Sequence, residues 1–191
     1  MMKYAFGNHP DANRLQPIFL AMIIEPLSYE TLDQAINLVD RIFPFQINSQ
    51  IENASMVFRA SLEKNNSFNR NLLEKMQITD ANYWVAIDNN SKKVVGTTGL
   101  YSYQEDENQA YWLGYTCVDP DFRGQGIGSK LVDFAITKAR QSDKQFLRLY
   151  TSTYPDQAVA QILYEKRGFR ITREESIEGS NFKMIYRELK L

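Results

Sequence analysis

The spacing of hydrophobic positions changes near residue 80 and separates two parts of the chain. In the first part, the apolar stretch from Phe19 to Pro26 predicts a strand. Helical spacing follows from Ser28, a predicted N-cap, to Pro44, and again after a capping box at Ser49–Glu52. The mostly polar stretch from Asn65 to Asp80 leaves room for one short helix.

In the second part, strand-like segments are separated by clusters of turn residues. An antiparallel meander is predicted for residues 83–87, 94–103 and 111–118. The remaining elements are a long helix that begins near Gly126, a strand at 146–151, a helix from Asp156 to Arg167 ended by Gly168, and strands at 169–177 and 182–189. The predicted order is therefore β-α-α-β-β-β-α-β-α-β-β.

This order indicates a mixed α+β domain, in which helices flank a central and mostly antiparallel sheet. Residues 1–17 are polar without a clear period and predict a loose N-terminal arm, which leaves residues 18–191 as a single domain. The length of 191 residues suits one domain that buries a substantial core.

Composition and charge exclude several classes of function. One cysteine, Cys117, permits no disulfide within the chain, and one histidine, His9, permits no Cys/His metal cluster, so we expect no metal. The net charge of −1 and the lack of a basic run argue against nucleic-acid binding. The apolar run Ile18–Ile24 is too short to span a membrane, and no signal peptide is evident. We therefore expect a cytoplasmic protein.

Candidate chemistry lies in a glycine-rich turn, which reads Arg-Gly-Gln-Gly-Ile-Gly at 123–128 and follows a strand that ends at Val118. A helix N-terminus attracts phosphate, glycines allow close approach of the backbone, and Arg123 adds a positive charge. The dinucleotide fingerprint fails because Ser129 occupies the place of its last glycine, and the P-loop spacing is absent. The turn predicts a phosphorylated ligand.

Two blocks of this sequence resemble the GNAT superfamily of N-acetyltransferases. Arg123-x-x-Gly126-x-Gly128 resembles the family's Q/R-x-x-G-x-G/A motif, and Ala160 to Phe169 resembles its A-x-x-L-Y-E-K-x-G-F helix. One helix and one strand separate the blocks, as in that family. The resemblance implies transfer of an acetyl group from acetyl-CoA to a primary amine of a small molecule or peptide, by direct attack and without a covalent enzyme intermediate.

The resemblance also implies roles for matching positions. Tyr164 would protonate the departing thiolate, and the Val118 backbone N–H would polarise the thioester carbonyl. Gln157 replaces an asparagine that many relatives carry. Trp112 stands where some relatives carry a carboxylate that acts as the general base. The general base therefore stays unidentified, and Glu25 is one open candidate. The residues expected to bind CoA, in a cleft where this strand splays from the next one, are Cys117, Val118, Arg123, Gly124, Gln125, Gly126, Ile127, Gly128, Ser129, Lys130, Gln157 and Tyr164.

The acceptor side is less determined. Phe43, Trp112 and Tyr115 are candidate acceptor-binding residues, yet each can equally be a packing residue. Strand alternation predicts one shared face for Trp112, Gly114, Thr116 and Val118, with space left by the glycine. Cys117 is expected to be a small strand residue rather than a reactive thiol.

Two rival functions stay open at this point. A non-catalytic acyl-CoA sensor or interaction module is favoured by the missing strand carboxylate, whereas Tyr164 argues against it. A nucleic-acid-binding domain is disfavoured by the charge. The sequence leaves undetermined the acceptor amine, the preferred acyl chain and the choice between monomer and homodimer.

Overall fold

The structure is a computed structural model that describes residues 22–44, 53–64 and 66–191. Four predicted features lie outside these residues: the arm at 1–17, His9, the start of the first predicted strand, and the capping box at Ser49–Glu52. The described elements are β1 (Met22–Pro26), α1 (Tyr29–Ile42), α2 (Ala54–Leu62), α3 (Ser67–Lys75), β2 (Ile78–Asp88), β3 (Val94–Tyr103), β4 (Ala110–Val118), α4 (Ile127–Arg140), β5 (Phe146–Ser152), α5 (Ala158–Glu165), β6 (Arg170–Ser176) and β7 (Lys183–Lys190).

The described strands form one seven-stranded sheet in the order β1-β2-β3-β4-β5-β7-β6. Among them, β4 and β5 pair in parallel, and every other neighbouring pair is antiparallel. The predicted mixed α+β class is confirmed. Helices α1 to α3 cover one face of the sheet and α4 and α5 cover the other, so the core has two layers.

The first helix forms where its pattern predicts. Ser28 is the N-cap, and its backbone N–H donates to Thr31 Oγ1 at 3.0 Å. The apolar stripe is buried on the sheet and comprises Leu32, Ala35, Ile36 and Val39. The helix ends at Ile42, and its C-cap residue Phe43 stands just before Pro44.

Two element boundaries differ from prediction, and one expected helix is confirmed. Strand β2 begins at Ile78 rather than Tyr83. The added segment contains the polar residues Asp80 and Asn82, which the strand accommodates because both accept hydrogen bonds from Lys64 Nζ. The short helix expected in the polar stretch before β2 forms at residues 67–75 as α3, with Asn66 as its N-cap. Helix α2 is described from Ala54, capped by Asn53, whose side chain accepts from the Met56 N–H.

Helix α5 also starts later than predicted. A short 3₁₀ turn occupies Pro155–Gln157, so the N-cap position falls on Gln157 and not on Asp156. The helix is followed by Gly168 at φ +85°, a left-handed conformation that glycine adopts without strain. This helix places Tyr164 against the sheet.

Candidate functional site: a gap between two parallel strands

Strands β4 and β5 separate after a short paired segment. Ala110–Trp112 pairs with Phe146–Arg148, and within the described strands this pairing continues no further. Beyond it, residues 113–118 of β4 and 149–152 of β5 diverge and leave a gap at the carboxyl ends of both strands. This geometry matches the splayed strands that the family resemblance implies.

Val118 presents its main chain to this gap. The Asp119 N–H donates to Val95 O at 2.9 Å, and Cys117 pairs with Thr97, so the main-chain groups of these two residues point toward β3. Main-chain groups alternate in direction along a strand, and those of Val118 therefore point to the opposite edge. In this geometry Val118, and not Cys117, offers its N–H and carbonyl to a ligand in the gap.

A bulge at Tyr115 changes which side chains share a face. Thr97 pairs with Cys117 and Gly99 with Gly114, so Tyr115 and Thr116 together stand opposite one residue of β3. Tyr115 takes the extra position, with φ +39°. Because the bulge adds one residue, alternation is out of phase on its two sides.

The predicted common face for Trp112, Gly114, Thr116 and Val118 is therefore wrong. Trp112 and Cys117 pack on the α1–α3 side, whereas Val118 packs on the α4 side. The predicted space at Gly114 is filled, since a Cβ there would lie 3.0 Å from both a Tyr101 ring carbon and the Tyr83 hydroxyl.

The three candidate acceptor residues occupy two places. Phe43 and Tyr115 lie together beside the gap, with ring centroids 6.5 Å apart. Trp112 lies lower, at the end of the paired segment, where its Nε1 donates to Asp106 Oδ2 at 2.9 Å. Trp112 is thus part of a hydrogen-bonded packing cluster, and Phe43 and Tyr115 are the two that border the gap.

The glycine-rich turn is exposed and left-handed at two positions. Gly124 and Gly126 have φ of +76° and +79°, and nothing lies within 4 Å of where a Cβ would stand at either. Gly126 is the N-cap of α4, and no side chain of a described residue caps this helix. The first N–H groups of α4 are consequently available to an anion. Gln125, Ser129 and Lys130 lie on the same turn and first helical turn.

The start of α4 lies against both other parts of the site. A Cβ at Gly128 would stand 3.6 Å from Val118 Cγ2 and 3.9 Å from Leu163 Cδ2, so a larger residue would press on β4 and α5. Ile127 beside it is fully buried and anchors the helix. The turn, the end of β4 and α5 thus meet at one point.

Two predicted cofactor contacts are engaged within the protein. Arg123 Nε donates to Val118 O at 3.2 Å, so this side chain lies at the mouth of the gap. Gln157 Oε1 accepts from the Ser152 N–H at 2.8 Å and from Thr151 Oγ1 at 2.5 Å. Only the amide NH₂ of Gln157 is then left to meet a ligand.

Tyr164 is buried between α5 and the sheet, and its ring packs edge-on to Phe169 with centroids 5.6 Å apart. Burial, with a smaller contribution from Cys117, raises the pKa of Tyr164 to about 12, against the lowering effect of Arg187. The phenol keeps its proton at neutral pH.

Cys117 is a neutral buried thiol. Burial raises its pKa to about 11, and its Sγ lies 3.3 Å from Thr97 Oγ1. A thiol with this pKa has almost no thiolate at neutral pH and is a poor nucleophile.

Two ion pairs at the site connect residues far apart in sequence, and no motif indicates them. Arg41 at the end of α1 lies 2.6 Å from Asp119 at the end of β4. Arg167 after α5 lies 2.5 Å from Asp133 of α4. Sequence spacing carries no signal for such pairs, since they are 78 and 34 residues apart.

The described part of the chain contains no cluster of three metal-ligating side chains and no helix that is both long and apolar enough to cross a membrane. The expectations of metal-free chemistry and of a cytoplasmic location stay predictions.

Comparison with known proteins identifies related sequences. A family model described as the Acetyltransferase (GNAT) family matches residues 49–169, more than half of the chain. "GCN5-related N-acetyltransferase 6, chloroplastic" from Arabidopsis thaliana is 31% identical over 86 residues, which is 44% of this chain. The matched segment spans only 29% of that relative's length.

Solved structures share the fold. A chain from the NatC complex bound to Gag peptide and CoA aligns with a TM-score of 0.65, 20% identity, and coverage of 89% of this chain and 98% of that chain. An acetyltransferase from Streptococcus agalactiae aligns with a TM-score of 0.63 and 20% identity, over 91% of this chain and 100% of that one. At these identities the likeness concerns the fold alone.

Proposed function

This chain belongs to the GNAT family of acetyltransferases, and from that premise we propose that it transfers an acetyl group from acetyl-CoA to a primary amine by direct attack. The observation that carries the proposal is the gap between β4 and β5, into which Val118 directs its main chain. The exposed α4 N-terminus lies beside the end of β4, where Gly128 faces Val118, and we assign Tyr164 to the same gap because its neighbour Leu163 also faces Gly128.

The residues divide the binding of acetyl-CoA between them. The N–H groups that begin α4, with the glycine turn, hold the pyrophosphate, because they are uncapped and point outward from a positive helix end. The main chain of Val118 pairs with the pantetheine arm as a neighbouring strand would. Arg123 reaches the pyrophosphate after it leaves the Val118 carbonyl, to which it donates in the free protein.

The chemical step needs an N–H donor, a proton donor and correct alignment. The Val118 N–H donates to the thioester oxygen as negative charge develops there. The gap holds the amine and the thioester in line, which removes much of the entropic cost. The amine nitrogen forms the new bond to the carbonyl carbon, the C–S bond breaks, and Tyr164 donates toward the departing sulfur.

The raised pKa of Tyr164 limits how it acts. A thiol has a reference pKa of about 8.5, so complete proton transfer from a phenol of pKa about 12 to a relaxed thiolate is unfavourable by roughly 5 kcal/mol. Tyr164 therefore acts first as a hydrogen-bond donor, and its proton moves as the C–S bond breaks. The proton lost by the attacking amine replaces it.

Glu25, the candidate base, is not placed to accept that amine proton directly. Glu25 pairs with Val85, Val85 with Thr97 and Thr97 with Cys117, so Glu25 stands three strands away in the same row. At about 4.8 Å per strand, its Cα lies about 14 Å from that of Cys117. A base acts within hydrogen-bond reach or through one water. We therefore propose that water removes the proton from the attacking amine. Glu25 could act as the base only through a chain of several waters between it and the amine.

The acceptor enters on the side bordered by Phe43 and Tyr115. The two aromatic rings offer an apolar surface, beside which a small amine or a peptide N-terminus with an apolar group would fit. The NatC structure is described as bound to a peptide and CoA, which supports including peptides among acceptors to test. The primary amine acceptor, the cytoplasmic location and the monomeric or homodimeric state all stay predictions.

Calorimetry with acetyl-CoA tests the cofactor assignment. Gly126→Glu places a carboxylate at the uncapped end of α4, and we expect at least a tenfold loss of affinity. Gly179→Glu is the matched control, because Gly179 also has positive φ, +71°, and equally open space, but lies in the β6–β7 turn. Equal binding by wild type and both variants would contradict the pyrophosphate assignment.

Thiol release separates an enzyme from an acyl-CoA sensor. The sensor alternative rests on Trp112, which takes the place of a base and is bonded to Asp106. We expect free thiol to appear when acetyl-CoA is incubated with an amine panel that includes peptides. Binding without release for every amine in the panel would favour the sensor.

A further inference from the structure

Arg167 bonds to two different helices of the proposed site. Its Nε and one terminal nitrogen donate to the Asp133 carboxylate of α4 at 2.5 and 2.8 Å. The same terminal nitrogen donates to Ser129 O at 3.2 Å, and the other donates to Leu163 O at 3.2 Å. The side chain is only 16% exposed. Every guanidinium nitrogen is therefore engaged, and the group is held in one orientation.

Two of the acceptors lie beside residues with proposed roles in the reaction. Ser129 belongs to the first turn of α4, whose N–H groups are proposed to hold the pyrophosphate. The Leu163 carbonyl belongs to the peptide bond that precedes Tyr164. The two helices are also close at Gly128, where a Cβ would stand 3.9 Å from Leu163 Cδ2. One guanidinium thus connects the pyrophosphate-binding turn to the residue proposed to donate to sulfur.

The spacing of these two parts matters because of the shape of the donor substrate. In CoA the pyrophosphate and the sulfur are joined by a pantetheine arm of limited length. When the turn fixes one end, the distance from the turn to Tyr164 decides where the thioester lies relative to its hydroxyl. A misplacement of about 1 Å at a reacting centre can reduce the rate about 10²-fold.

We propose that Arg167 is a positioning residue that sets the spacing between the pyrophosphate-binding turn and Tyr164. The inference rests on the proposed function and deepens it. A positioning role can be distinguished from a purely stabilising one. If Arg167 positions the substrate, the loss of activity on its substitution should depend on whether the α4 turn anchors the acetyl donor.

A truncated donor provides that distinction. S-Acetylpantetheine carries the same thioester but has no pyrophosphate, so the α4 turn does not anchor it. Its placement is then independent of the spacing that Arg167 sets. The informative quantity is the kcat/KM for acetyl-CoA divided by the kcat/KM for S-acetylpantetheine, which a change in the amount of folded protein does not alter.

The experiment compares wild type with Arg167→Lys, Arg167→Met, Asp133→Asn and the control Arg170→Lys, which alters an exposed arginine three positions later. Lysine keeps the charge but lacks the planar fork whose separate nitrogens reach Asp133, Ser129 O and Leu163 O, so we expect the ratio to fall about tenfold in both Arg167 variants. Asp133→Asn should lower it in the same direction, and the Arg167→Met/Asp133→Asn pair should fall no further than Arg167→Met alone. The control should match wild type.

An unchanged ratio in Arg167→Lys and Asp133→Asn, with both donors slowed equally, would overturn the positioning role while leaving the proposed function intact. If wild type turned over neither donor, the proposed function would fail, and this inference with it.

Discussion

Arg41 of α1 and Asp119 of the turn after β4 form a 2.6 Å ion pair that joins the helix beside Phe43 to the end of the strand that carries Val118. Asp119 is held further by its N–H bond to Val95 O, and its Oδ1 accepts from the Asp121 N–H. The acceptor side and the cofactor side of the gap are thus linked through one carboxylate.

We expect Arg41→Met to lower the free energy of unfolding by about 0.5–1 kcal/mol, because the arginine is half exposed and such pairs contribute little. Urea denaturation measures this. The control is Arg59→Met, which removes a looser 3.5 Å pair between two exposed side chains and should have almost no effect. A loss of several kcal/mol in Arg41→Met would show that the contact is a structural anchor instead.

Tyr164→Phe removes the donor to sulfur while the ring stays packed on Phe169. We expect kcat to fall about 10²-fold, the typical effect of one positioned proton donor, with little change in acetyl-CoA affinity. Steady-state kinetics and calorimetry on the same protein separate the two effects. The control is Tyr29→Phe, whose hydroxyl bonds to Glu63 at an exposed place on α1. Unchanged kcat in Tyr164→Phe would remove the donor role.

The raised pKa of Tyr164 predicts a stability change at high pH. The unfolded phenol loses its proton near pH 10, whereas the native one keeps it until about pH 12. Between pH 10 and 12 the unfolded state therefore binds fewer protons than the native state. The stability that the Tyr164 phenol contributes is complete below pH 10 and is lost as the pH rises, at about 1.4 kcal/mol per pH unit. Urea denaturation from pH 9 to 11.5 should show a shallower decline for Tyr164→Phe than for wild type. Identical slopes would mean that the phenol is not protected by burial.

Cys117→Ser should leave turnover within about threefold of wild type. Its thiol has a pKa of about 11, and direct attack requires no acetylated cysteine. Serine can keep the contact with Thr97 Oγ1. Steady-state thiol release measures turnover. Loss of all activity in a folded Cys117→Ser protein, or a burst of thiol equal to the wild-type enzyme concentration without amine, would indicate a covalent route.

Regular patterns along the sequence predicted most of the fold. The stripe that starts at Leu32 and the glycine at 168 report local backbone preferences, which sequence expresses directly. The late start predicted for β2 shows the limit of such patterns. The polar residues Asp80 and Asn82 interrupt the hydrophobic pattern by which the start of the strand would be recognised. Their hydrogen bonds with Lys64 explain why the strand accommodates them.

The candidate site was predictable in its parts but not in its arrangement. The glycine turn and Tyr164 follow from motif spacing. The bulge at Tyr115, which moves Trp112 and Val118 to opposite faces, depends on pairing between strands and has no single-residue signal. The bonds of Arg167 likewise join residues 34 positions apart, and only the packing of α5 beside α4 brings them together.

Transfer of a mass-labelled acetyl group tests the central claim most directly. Wild-type protein, Gly126→Glu and Gly179→Glu are incubated with labelled acetyl-CoA and an amine panel that includes peptides, and the label in each amine and in the protein is measured by mass spectrometry. The account predicts that wild type and Gly179→Glu label an amine in equal amount to the thiol released, that the protein itself stays unlabelled, and that Gly126→Glu transfers far less. Label bound covalently to the protein, or no label in any amine despite acetyl-CoA binding, would contradict it.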